Sequence, residues 1–420
     1  MNDRIKRRVA LFAGAAVLIF VLGMADYAFR RYIQPALPAL APAHGDIAGE
    51  IEQATSAATS TATAPTPTPR GNAPSFPLMM PDGISVRIFA KGLGDPRDLE
   101  VDPNGHLFVS IPGKGTVVRF DEAADGTVTT VPFLDGLNKP HGLAFACEKG
   151  KSCYLFVAET NAVRRYEYDP ATYATSNAKK IMDLPTGGRH TTRSLFAHDG
   201  QLFISIGSSC DVCHESDERR ATIMVSDFEG NDAHVYAKGL RNSVFIAHNP
   251  VTHQLWATDM GRDNLGDDTP PDEVNILKAD ANYGWPNCYG NNVHDTAFDK
   301  NTYIRNPCMA PFETPAHVEL HAHSAPLGLA FFPKEWGAKY QNDLLVAFHG
   351  SWNSTVPTGY KLDRVDLDEK GNPVAQEDFV SGWLNAKGQA SGRPVDVLFR
   401  GKDLFVSDDK SGTVYRFTAP

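Results

Sequence analysis

The chain has 420 residues, 42% of them hydrophobic, and a formal net charge of −10 at pH 7. This length allows one large core or two ordinary domains. Residues 1–75 carry seven Lys or Arg and five Asp or Glu, so the rest of the chain holds a net charge of −12. An acidic globular part lacks the basic surface of a nucleic-acid-binding protein, and we therefore expect no nucleic-acid partner.

A signal anchor or signal peptide is predicted over residues 1–33. An apolar run over residues 9–25 is flanked by basic residues, namely Arg4, Lys6, Arg7 and Arg8 before it and Arg30 and Arg31 after it. The run is near the lower length limit for crossing a bilayer. No small-x-small cleavage site follows it directly, although a later cut near Ala41 or Ala43 stays open. The basic residues favour an uncleaved anchor that exports the remainder, which predicts a periplasmic protein attached to the membrane only through this helix.

Residues 34–75 form a predicted linker. They are rich in Ala, Thr and Pro, as in Thr61–Pro69. Such a composition cannot build a core and is typical of a disordered, semi-extended tether. We expect the globular domain to cover residues 76–420.

One four-residue phrase returns six times in this domain, at Leu107–Ser110, Leu155–Ala158, Leu202–Ser205, Leu255–Thr258, Leu344–Ala347 and Leu404–Ser407. Most copies follow a turn-like stretch and have an apolar strand upstream, such as His141–Phe145 or Pro326–Phe331. Self-similarity at a period of roughly 45–60 residues, with short β-rich runs between turns, is typical of a β-propeller. The sequence therefore predicts an all-β fold with six blades around a channel.

All six cysteines lie in the predicted propeller, as the local pairs Cys147/Cys153, Cys210/Cys213 and Cys288/Cys308. An even number in an exported domain indicates disulfides, and we pair them by proximity. Cys210, Cys213 and His214 also match the C-x-x-C-H attachment motif of c-type haem. The motif follows a propeller strand rather than lying in a small helical module, so we favour a disulfide that stiffens a loop over haem.

Cationic and imidazole side chains recur just before or within the predicted inner strands: Arg97, His141, His190, Arg193, Arg241 and Arg393. Because inner strands line the channel axis, we expect these side chains to converge. Arginine binds carboxylates through two parallel hydrogen bonds, so the set indicates a multiply anionic ligand. The alternative is that each arginine pairs with a carboxylate of the blades.

Two further segments are candidates for function. Six acidic residues crowd the loop after the fourth phrase and offer the oxygen ligands that Ca²⁺ prefers, unless they are simply solvated: Asp259, Asp263, Asp267, Asp268, Asp272 and Glu273. The segment Asp280–Ala325 is predicted to be an insertion between blades four and five. Long loops on a rigid scaffold are often functional, and its aromatic residues suit either sugar stacking or loop packing.

Nucleophile elbows, phosphate-binding loops, dinucleotide fingerprints and His-Glu-x-x-His motifs are absent from the sequence. Seven other segments carry a family resemblance: Gly188–Leu195, Ser205–Cys213, Tyr283–Gly290, His323–Leu329, Phe348–Asn353, Gly392–Asp396 and Val406–Asp409. Through them the sequence resembles the sorbosone-type sugar dehydrogenases, which depend on pyrroloquinoline quinone (PQQ) and are relatives of soluble glucose dehydrogenase with a six-bladed propeller. The resemblance covers roughly residues 80–418.

The resemblance implies roles for individual residues. His190 matches the catalytic base, which would take the proton of the substrate hydroxyl while hydride passes to the quinone. Arg241 matches the arginine that faces the quinone oxygen and would stabilise charge there. Gly261 and Arg262 fall where two backbone carbonyls bind the Ca²⁺ that also coordinates PQQ. The remaining residues implied in cofactor binding are Asn242 and Arg393, with Arg97, Arg193 and His349 as further candidates.

The chain also departs from soluble glucose dehydrogenase. The aspartate that orients the base in that relative is replaced by Ser208, one cofactor arginine falls on Val395, and a lysine is replaced near His349. We expect a periplasmic PQQ- and Ca²⁺-dependent dehydrogenase that oxidises an aldose or a sugar aldehyde and passes electrons to a quinone or cytochrome. The alternatives are a non-catalytic propeller that binds a sugar or another ligand, and a calcium-dependent lactonase.

Overall fold

The computed structural model describes residues 73–147 and 152–420 in full, together with the backbone of residues 67 and 68. The predicted anchor over residues 1–33 and most of the predicted linker lie outside the described residues. Among the residues that are described, no helix is long and apolar enough to cross a membrane.

Of the seven sheets that the described residues form, six are blades built from antiparallel strands and one is a two-stranded sheet outside the blades. Two N-terminal strands lie at outer edges: β1 (Pro67–Thr68) on blade 1 and β2 (Ser85–Lys91) on blade 6. Blade 1 contains β3 (Leu99–Val101), β4 (Leu107–Ile111), β5 (Thr116–Glu122) and β6 (Val128–Leu134). Blade 2 contains β7 (Leu143–Cys147), β8 (Cys153–Ala158), β9 (Ala162–Asp169) and β10 (Ala174–Asp183). Blade 3 contains β11 (Leu195–His198), β12 (Gln201–Ile206), β13 (Thr222–Asp227) and β14 (His234–Lys238).

The remaining blades follow the same order from the channel outward. Blade 4 contains β15 (Ile246–His248), β16 (Leu255–Asp259) and β17 (Asp272–Leu277). An inserted segment then contributes β18 (Ala281–Asn282), β19 (Cys288–Tyr289) and β20 (Val293–His294), before β21 (Val318–Leu320) completes blade 4. Blade 5 contains β22 (Pro326–Phe331), β23 (Leu344–Phe348), β24 (Lys361–Leu367) and β25 (Pro373–Val380). Blade 6 contains β26 (Pro394–Arg400), β27 (Asp403–Asp408) and β28 (Thr413–Thr418), and two short 3₁₀ turns cover Pro112–Lys114 and Lys334–Trp336.

The repeated phrase forms the second strand of every blade, where it is covered on both sides by neighbouring strands. Each innermost strand contacts the innermost strand of the next blade, so the ring closes around the channel. The last blade takes its outer strand from the start of the chain, because β2 pairs with β28 from Ser85 opposite Thr418 to Lys91 opposite Thr413. The predicted six-bladed all-β propeller is confirmed.

Apolar side chains fill the spaces between blades. Six buried clusters lie at the six blade interfaces. The interface of blades 6 and 1, for example, packs Phe89 against Phe405 with ring centroids 4.9 Å apart. Burial of such side chains stabilises the ring by roughly 1.5–3 kcal/mol each, so the loops at its ends are held by a rigid frame.

Buried carboxylates connect the innermost strands. Asp98 accepts the backbone N–H of Leu143 in the next blade at 3.0 Å, and Asp396 accepts that of Leu99 at 2.8 Å. Burial, followed by the charge of Asp396, raises the pKa of Asp98 well above its usual range. Burial also raises the pKa of Asp396 to about 7. These bonds fix the register of adjacent blades around the channel.

The sequence had predicted an insertion between blades four and five, and this prediction was wrong. It leaves blade 4 after β17 and returns as β21, whose Leu320 pairs with Asp272 of β17. Only three residues form this returning strand, and they carry no copy of the repeated phrase. The fourth strand of the blade therefore lies inside the segment that the sequence assigned to the insertion.

The three predicted disulfides are confirmed: Cys147–Cys153, Cys210–Cys213 and Cys288–Cys308. The first links β7 to β8, and the third closes the insertion on itself. The second joins the two sulfur atoms that thioether attachment of a haem would require, in agreement with the preference for a disulfide at this motif.

Candidate active site

Loops before the innermost strands and loops after the second strands bring site residues together in two groups at the mouth of the channel. We name the first group the base cluster, made of His190, Ser208, Asp211, Arg241 and Asp263. We name the second the anchor cluster, made of Arg97, His349, Arg393 and Asp409.

In the base cluster, His190 presents one nitrogen to the backbone of blade 3. Its Nδ1 lies 3.1 Å from the carbonyl oxygen of Ser208 and 2.8 Å from Ser208 Oγ. A carbonyl oxygen can only accept, so we assign the proton to Nδ1 and the lone pair to Nε2. Burial, followed by the charges of Arg241 and Arg189, lowers the pKa of His190 to about 3. The imidazole is therefore neutral at pH 7, as a general base requires.

Arg241 is held by two carboxylates. Its Nη2 donates to Asp211 Oδ1 at 2.7 Å, and its Nε donates to the Asp211 carbonyl at 2.8 Å. Asp263 Oδ2 lies 3.4 Å from the same Nη2. Burial raises the pKa of Asp263 to about 6, against the lowering effect of Arg241. Charge and position of the guanidinium are thus both set by the base cluster.

Asn242 lies beside His190 because a glycine separates them. A Cβ added to Gly207 would come within 2.6 Å of Asn242 Oδ1 and within 2.6 Å of His190 Cβ. The Asn242 backbone N–H donates to Asp259 Oδ1 at 2.7 Å, and its side-chain amide contacts Met260 Sδ at 3.2 Å. Only glycine at position 207 allows these two side chains to face the mouth together.

Gly261 and Arg262 form the turn after β16. The Gly261 N–H donates to Asp272 Oδ1 at 2.8 Å, and Arg262 Nη1 donates to Asp295 Oδ2 in the insertion at 2.8 Å. Both residues line a cavity of about 20 Å³ that they share with Arg241. Such a volume holds one water-sized species, and backbone carbonyl oxygens are among the ligands that Ca²⁺ takes.

The anchor cluster is organised around Asp409. Arg97 Nη1 donates to Asp409 Oδ2 at 2.6 Å, and His349 Nε2 lies 3.0 Å from both carboxylate oxygens. Burial lowers the pKa of His349 to about 4 although Asp409 acts in the opposite direction. Burial acts to raise the pKa of Asp409, but His349 and the two arginines hold it below its usual range. The carboxylate is therefore ionised and the imidazole neutral at pH 7.

Arg393 carries a charge that is not matched by a carboxylate. Its Nε donates to the His349 carbonyl at 3.0 Å and its Nη2 to the Gly350 carbonyl at 2.6 Å. Within the described residues, no ion pair involves Arg393, whereas Arg97 pairs with Asp409. With two arginines and one ionised aspartate, the anchor cluster has a surplus of positive charge.

Arg193 has a different position from the other arginines. It is fully buried, and its guanidinium donates to the carbonyls of His190, Thr192 and Pro185 at 2.7–2.9 Å. These bonds hold the backbone of the loop that carries His190. The predicted convergence of arginines therefore holds for the two clusters but does not extend to Arg193, and the alternative of carboxylate pairing describes Arg97 and Arg241.

Two contacts connect the clusters across the mouth. Asn353, four residues after His349, donates through Nδ2 to Asp263 Oδ1 at 2.8 Å. Arg189 lies over the ring of Trp352, 5.9 Å from its centroid. Trp352 is 57% exposed, so an aromatic face is open to solvent between the clusters.

A buried histidine near the anchor cluster has an unused nitrogen. His141 is 2% exposed, and its Nδ1 lies 3.2 Å from Ser194 Oγ. Its Nε2 is buried and has no hydrogen-bond partner among the described residues. Burial, followed by the charge of Arg97, lowers the pKa of His141 well below its usual range. Such an unsatisfied buried nitrogen is uncommon in a folded protein.

The predicted acidic calcium loop is dispersed. Asp259 accepts the backbone N–H groups of Arg241 and Asn242, while Glu273 accepts that of Gly290. Asp272 accepts from Gly261 and Ala325, so the buried acids of this loop organise turns. Among the described residues, only Cys210, Cys213 and Glu215 place three potential ligand atoms close together, and both sulfur atoms belong to a disulfide.

Sequence reasoning missed Asp409 and Asp211 as members of the site. It also missed a carboxylate that follows the repeated phrase directly in several blades. Asp259 accepts the N–H of Arg241 at 3.0 Å, and Asp408 accepts the N–H of Arg393 at 2.9 Å. The residue after the phrase was therefore the available signal, because it fixes the loop that carries the arginine.

Known relatives match most of the chain. The TrAA12-like family model matches residues 78–419. An uncharacterized protein of Borreliella burgdorferi is 28% identical over 371 residues, which cover 81% of this chain and 90% of that protein. A PQQ-dependent sugar dehydrogenase of Hypocrea jecorina is 24% identical over 390 residues, covering 80% of this chain and 87% of that protein.

A PQQ-dependent pyranose dehydrogenase of Coprinopsis cinerea is 23% identical and covers 83% of this chain, but the match spans only 55% of that longer protein. The solved holo PQQ domain of Coprinopsis cinerea pyranose dehydrogenase has a TM-score of 0.71 at 22% identity and covers 83% of this chain and 99% of that one. The PQQ-bound aldose sugar dehydrogenase of Streptomyces coelicolor has a TM-score of 0.56 at 20% identity, with coverages of 81% and 99%. These structures share the propeller fold.

Proposed function

Because the chain belongs to the TrAA12-like family, we propose that it is a PQQ- and calcium-dependent oxidoreductase that oxidises an aldose or a sugar aldehyde of the sorbosone type. The observation that carries the proposal is that one cluster holds the neutral base His190 together with Arg241, while the anchor cluster has a surplus of positive charge. The named activities of the relatives support the same chemistry.

The residues at the mouth fit a group with several carboxylates. Arg393 has no carboxylate partner in the described part of the chain, and His141 keeps a buried Nε2 without a partner there. A planar guanidinium binds a carboxylate through two parallel hydrogen bonds. We infer that Arg393 and Arg97 hold the carboxylates of PQQ and that Asn242 contacts the cofactor from the side of the base cluster. When bound, PQQ supplies a two-electron oxidant that takes hydride from the sugar carbon.

In this proposal His190 moves the proton. Its Nε2 carries the lone pair because Nδ1 donates to Ser208, and burial keeps the ring neutral. Nε2 therefore takes the hydroxyl proton of the sugar as hydride leaves the adjacent carbon. The charge of Asp211 acts to raise the pKa of His190 and so favours the protonated imidazole. Arg241, fixed by Asp211 and Asp263, stabilises the negative charge that develops on the oxidant.

The metal and the location are further parts of the proposal. The carbonyls of Gly261 and Arg262 are our candidate Ca²⁺ ligands, at the turn beside the small cavity. We place the protein in the periplasm, tethered by the predicted N-terminal helix, with a quinone or cytochrome as electron acceptor. The flanking basic residues of the apolar run support this placement.

The test uses the full chain, purified in detergent and loaded with PQQ and Ca²⁺. We expect dye reduction that depends on an added aldose or sugar aldehyde and that is lost on chelation and restored by Ca²⁺. Absence of both sugar-dependent turnover and PQQ-dependent stabilisation against heat would contradict the proposal and favour the non-catalytic binding propeller. Hydrolysis of a lactone without PQQ would instead favour the lactonase.

A further inference from the structure

The Cys210–Cys213 disulfide closes a short turn, which we call the disulfide turn and which covers residues 208–213. It connects the base cluster with the insertion of blade 4. We propose that this disulfide turn is the positioning element for both His190 and Arg241. The assignment deepens the proposed function, because it names what orients the base and its neighbouring cation.

The first connection runs from the turn to the histidine. Ser208 Oγ donates its proton to the Cys210 carbonyl at 2.7 Å. With that proton committed, the Oγ lone pair faces His190 and accepts from Nδ1 at 2.8 Å. The conformation of the turn at Cys210 therefore decides the orientation of the Ser208 hydroxyl. That hydroxyl, together with the Ser208 carbonyl, holds the tautomer in which Nε2 is the base.

The second connection runs to the arginine. Asp211 uses its carbonyl for Arg241 Nε at 2.8 Å and its carboxylate for Arg241 Nη2 at 2.7 Å. The same carboxylate oxygen accepts the Asp263 N–H at 2.8 Å. Because backbone and side chain of one residue both contact the guanidinium, the path of the turn as well as its charge sets the position of Arg241.

The turn is also held from outside. Trp285 of the insertion donates its indole N–H to the Asp211 carbonyl at 3.2 Å, and the ring of His214 lies 5.2 Å from that of Phe298. Glu215 accepts from the Ser209 N–H at 2.6 Å and from its hydroxyl at 2.7 Å. The Trp285 indole thus shares the Asp211 carbonyl with Arg241 Nε. The cross-link between Cys210 and Cys213 is the covalent constraint that keeps the inner contacts in place.

The experiment compares two disulfide deletions in the full chain. Cys210→Ser/Cys213→Ser removes the proposed positioning element, and Cys147→Ser/Cys153→Ser removes the cross-link between β7 and β8 as a matched control. In PQQ-free protein labelled with ¹⁵N-histidine, the wild type and the control are expected to show His190 protonated at Nδ1. The signal is identified by its loss in His190→Gln. Cys210→Ser/Cys213→Ser is expected to show a mixture of the two tautomers.

Turnover gives a second readout once PQQ is added. A displacement of about 1 Å at a catalytic group costs on the order of 100-fold in rate. We therefore expect kcat of Cys210→Ser/Cys213→Ser to fall at least about 10-fold, while KM for the sugar changes much less. The control variant is expected to keep the kcat of the wild type.

Two results would overturn the proposal: an unchanged His190 tautomer in Cys210→Ser/Cys213→Ser, or an equal loss of kcat in both disulfide variants. If the double variant does not fold, the wild-type apoprotein is treated with a dithiol, which supplies two electrons and two protons per disulfide. The thiols are then alkylated and mapped, and the tautomer is measured again. The tautomer of His190 is measured without turnover. A wild type that oxidises no sugar would therefore contradict the proposed function, while the tautomer measurement would still test the role of the disulfide turn.

Discussion

At the mouth of the channel, two buried histidines are held in opposite ways. His190 donates through Nδ1 to the neutral oxygens of Ser208, whereas His349 donates through Nε2 to the carboxylate of Asp409. Burial lowers the pKa of both, to about 3 for His190 and to about 4 for His349. His190 is left with Nε2 as its lone-pair nitrogen, while the Nε2 of His349 is committed to the anchor cluster.

The base cluster and the anchor cluster also differ in their ratio of arginines to carboxylates. Arg241 faces two carboxylates, Asp211 and Asp263, so the carboxylates of the base cluster outnumber its arginine. Arg97 and Arg393 share a single ionised carboxylate, Asp409. Carboxylates in the base cluster favour an imidazole that takes up a proton, whereas the surplus of positive charge in the anchor cluster suits binding of an anion. One mouth thus separates the two tasks that oxidation with an anionic cofactor requires.

The largest effect is expected from His190→Ala. Loss of a positioned general base lowers the rate by roughly 10²–10⁴-fold, whereas the anchor cluster stays intact. We expect kcat to fall in that range and the Kd for PQQ to change little, as measured by steady-state kinetics and by titration of the apoprotein. His198→Ala, at the far end of β11, is the control and should keep wild-type turnover. Wild-type turnover in His190→Ala would assign the base elsewhere.

Arg241→Ala is expected to have the next largest effect. Removing one donor that stabilises developing charge costs on the order of 10²-fold in rate. The rate at which the sugar reduces bound PQQ, followed by stopped-flow absorbance, should fall more than the apparent affinity for the sugar. A change confined to the sugar affinity would move Arg241 into the substrate site.

Arg393→Ala tests the anchor cluster. A hydrogen bond to a charged group contributes about 1.5–3 kcal/mol, which corresponds to roughly a 10- to 100-fold weaker Kd for PQQ. The matched variant is Arg193→Ala, whose guanidinium bonds only to backbone carbonyls. We expect Arg193→Ala to lower the free energy of unfolding by about 1–3 kcal/mol with a smaller change in Kd. The reverse pattern would exchange the roles of the two arginines.

The smallest effect is a shift of pKa. Ser208→Asp places a negative charge where His190 now meets a neutral hydroxyl, so the pKa of His190 should rise by about 1–3 units from its lowered value. In the wild type, the neutral buried imidazole contributes stability that is present above the unfolded pKa of about 6.5 and is lost as the pH falls toward 3. An NMR titration of the PQQ-free wild type and of PQQ-free Ser208→Asp measures the pKa of His190 in each protein. An unchanged pKa in Ser208→Asp would contradict the assigned contact.

The repeated phrase was sufficient to predict the propeller, because a buried second strand needs apolar residues in every blade. It did not predict the insertion correctly, since β21 has only three residues and a pattern that short is ambiguous between strand and loop. The role of the residue after the phrase was also missed, since Asp259 was interpreted as a calcium ligand. Asp259 and Asp408 occupy that position and accept the backbone N–H groups of Arg241 and Arg393.

Individual arginine contacts were beyond sequence reasoning for a physical reason. Arg193 and Arg393 both precede an innermost strand. The guanidinium of Arg193 nevertheless bonds to its own loop, whereas that of Arg393 lies in the anchor cluster. Their partners are mainly backbone carbonyls, which every residue carries and no pattern distinguishes. Asp211 was hidden for a related reason, since the cysteines on either side of it gave that segment another interpretation.

The return of the chain through β21 separates the architecture of blade 4 from the length of its insertion. Since β17 and β21 pair directly, the blade closes over whatever connects residues 277 and 318. The free-energy cost of closing a loop grows by only about 0.6 kcal/mol for each doubling of its length. This segment is therefore an exchangeable module for evolution and for engineering. A replacement would have to reproduce the contacts that the present segment makes with the rest of the molecule. They include the indole N–H of Trp285 on the Asp211 carbonyl, the Asp295 carboxylate on Arg262 and the Gly290 N–H on Glu273.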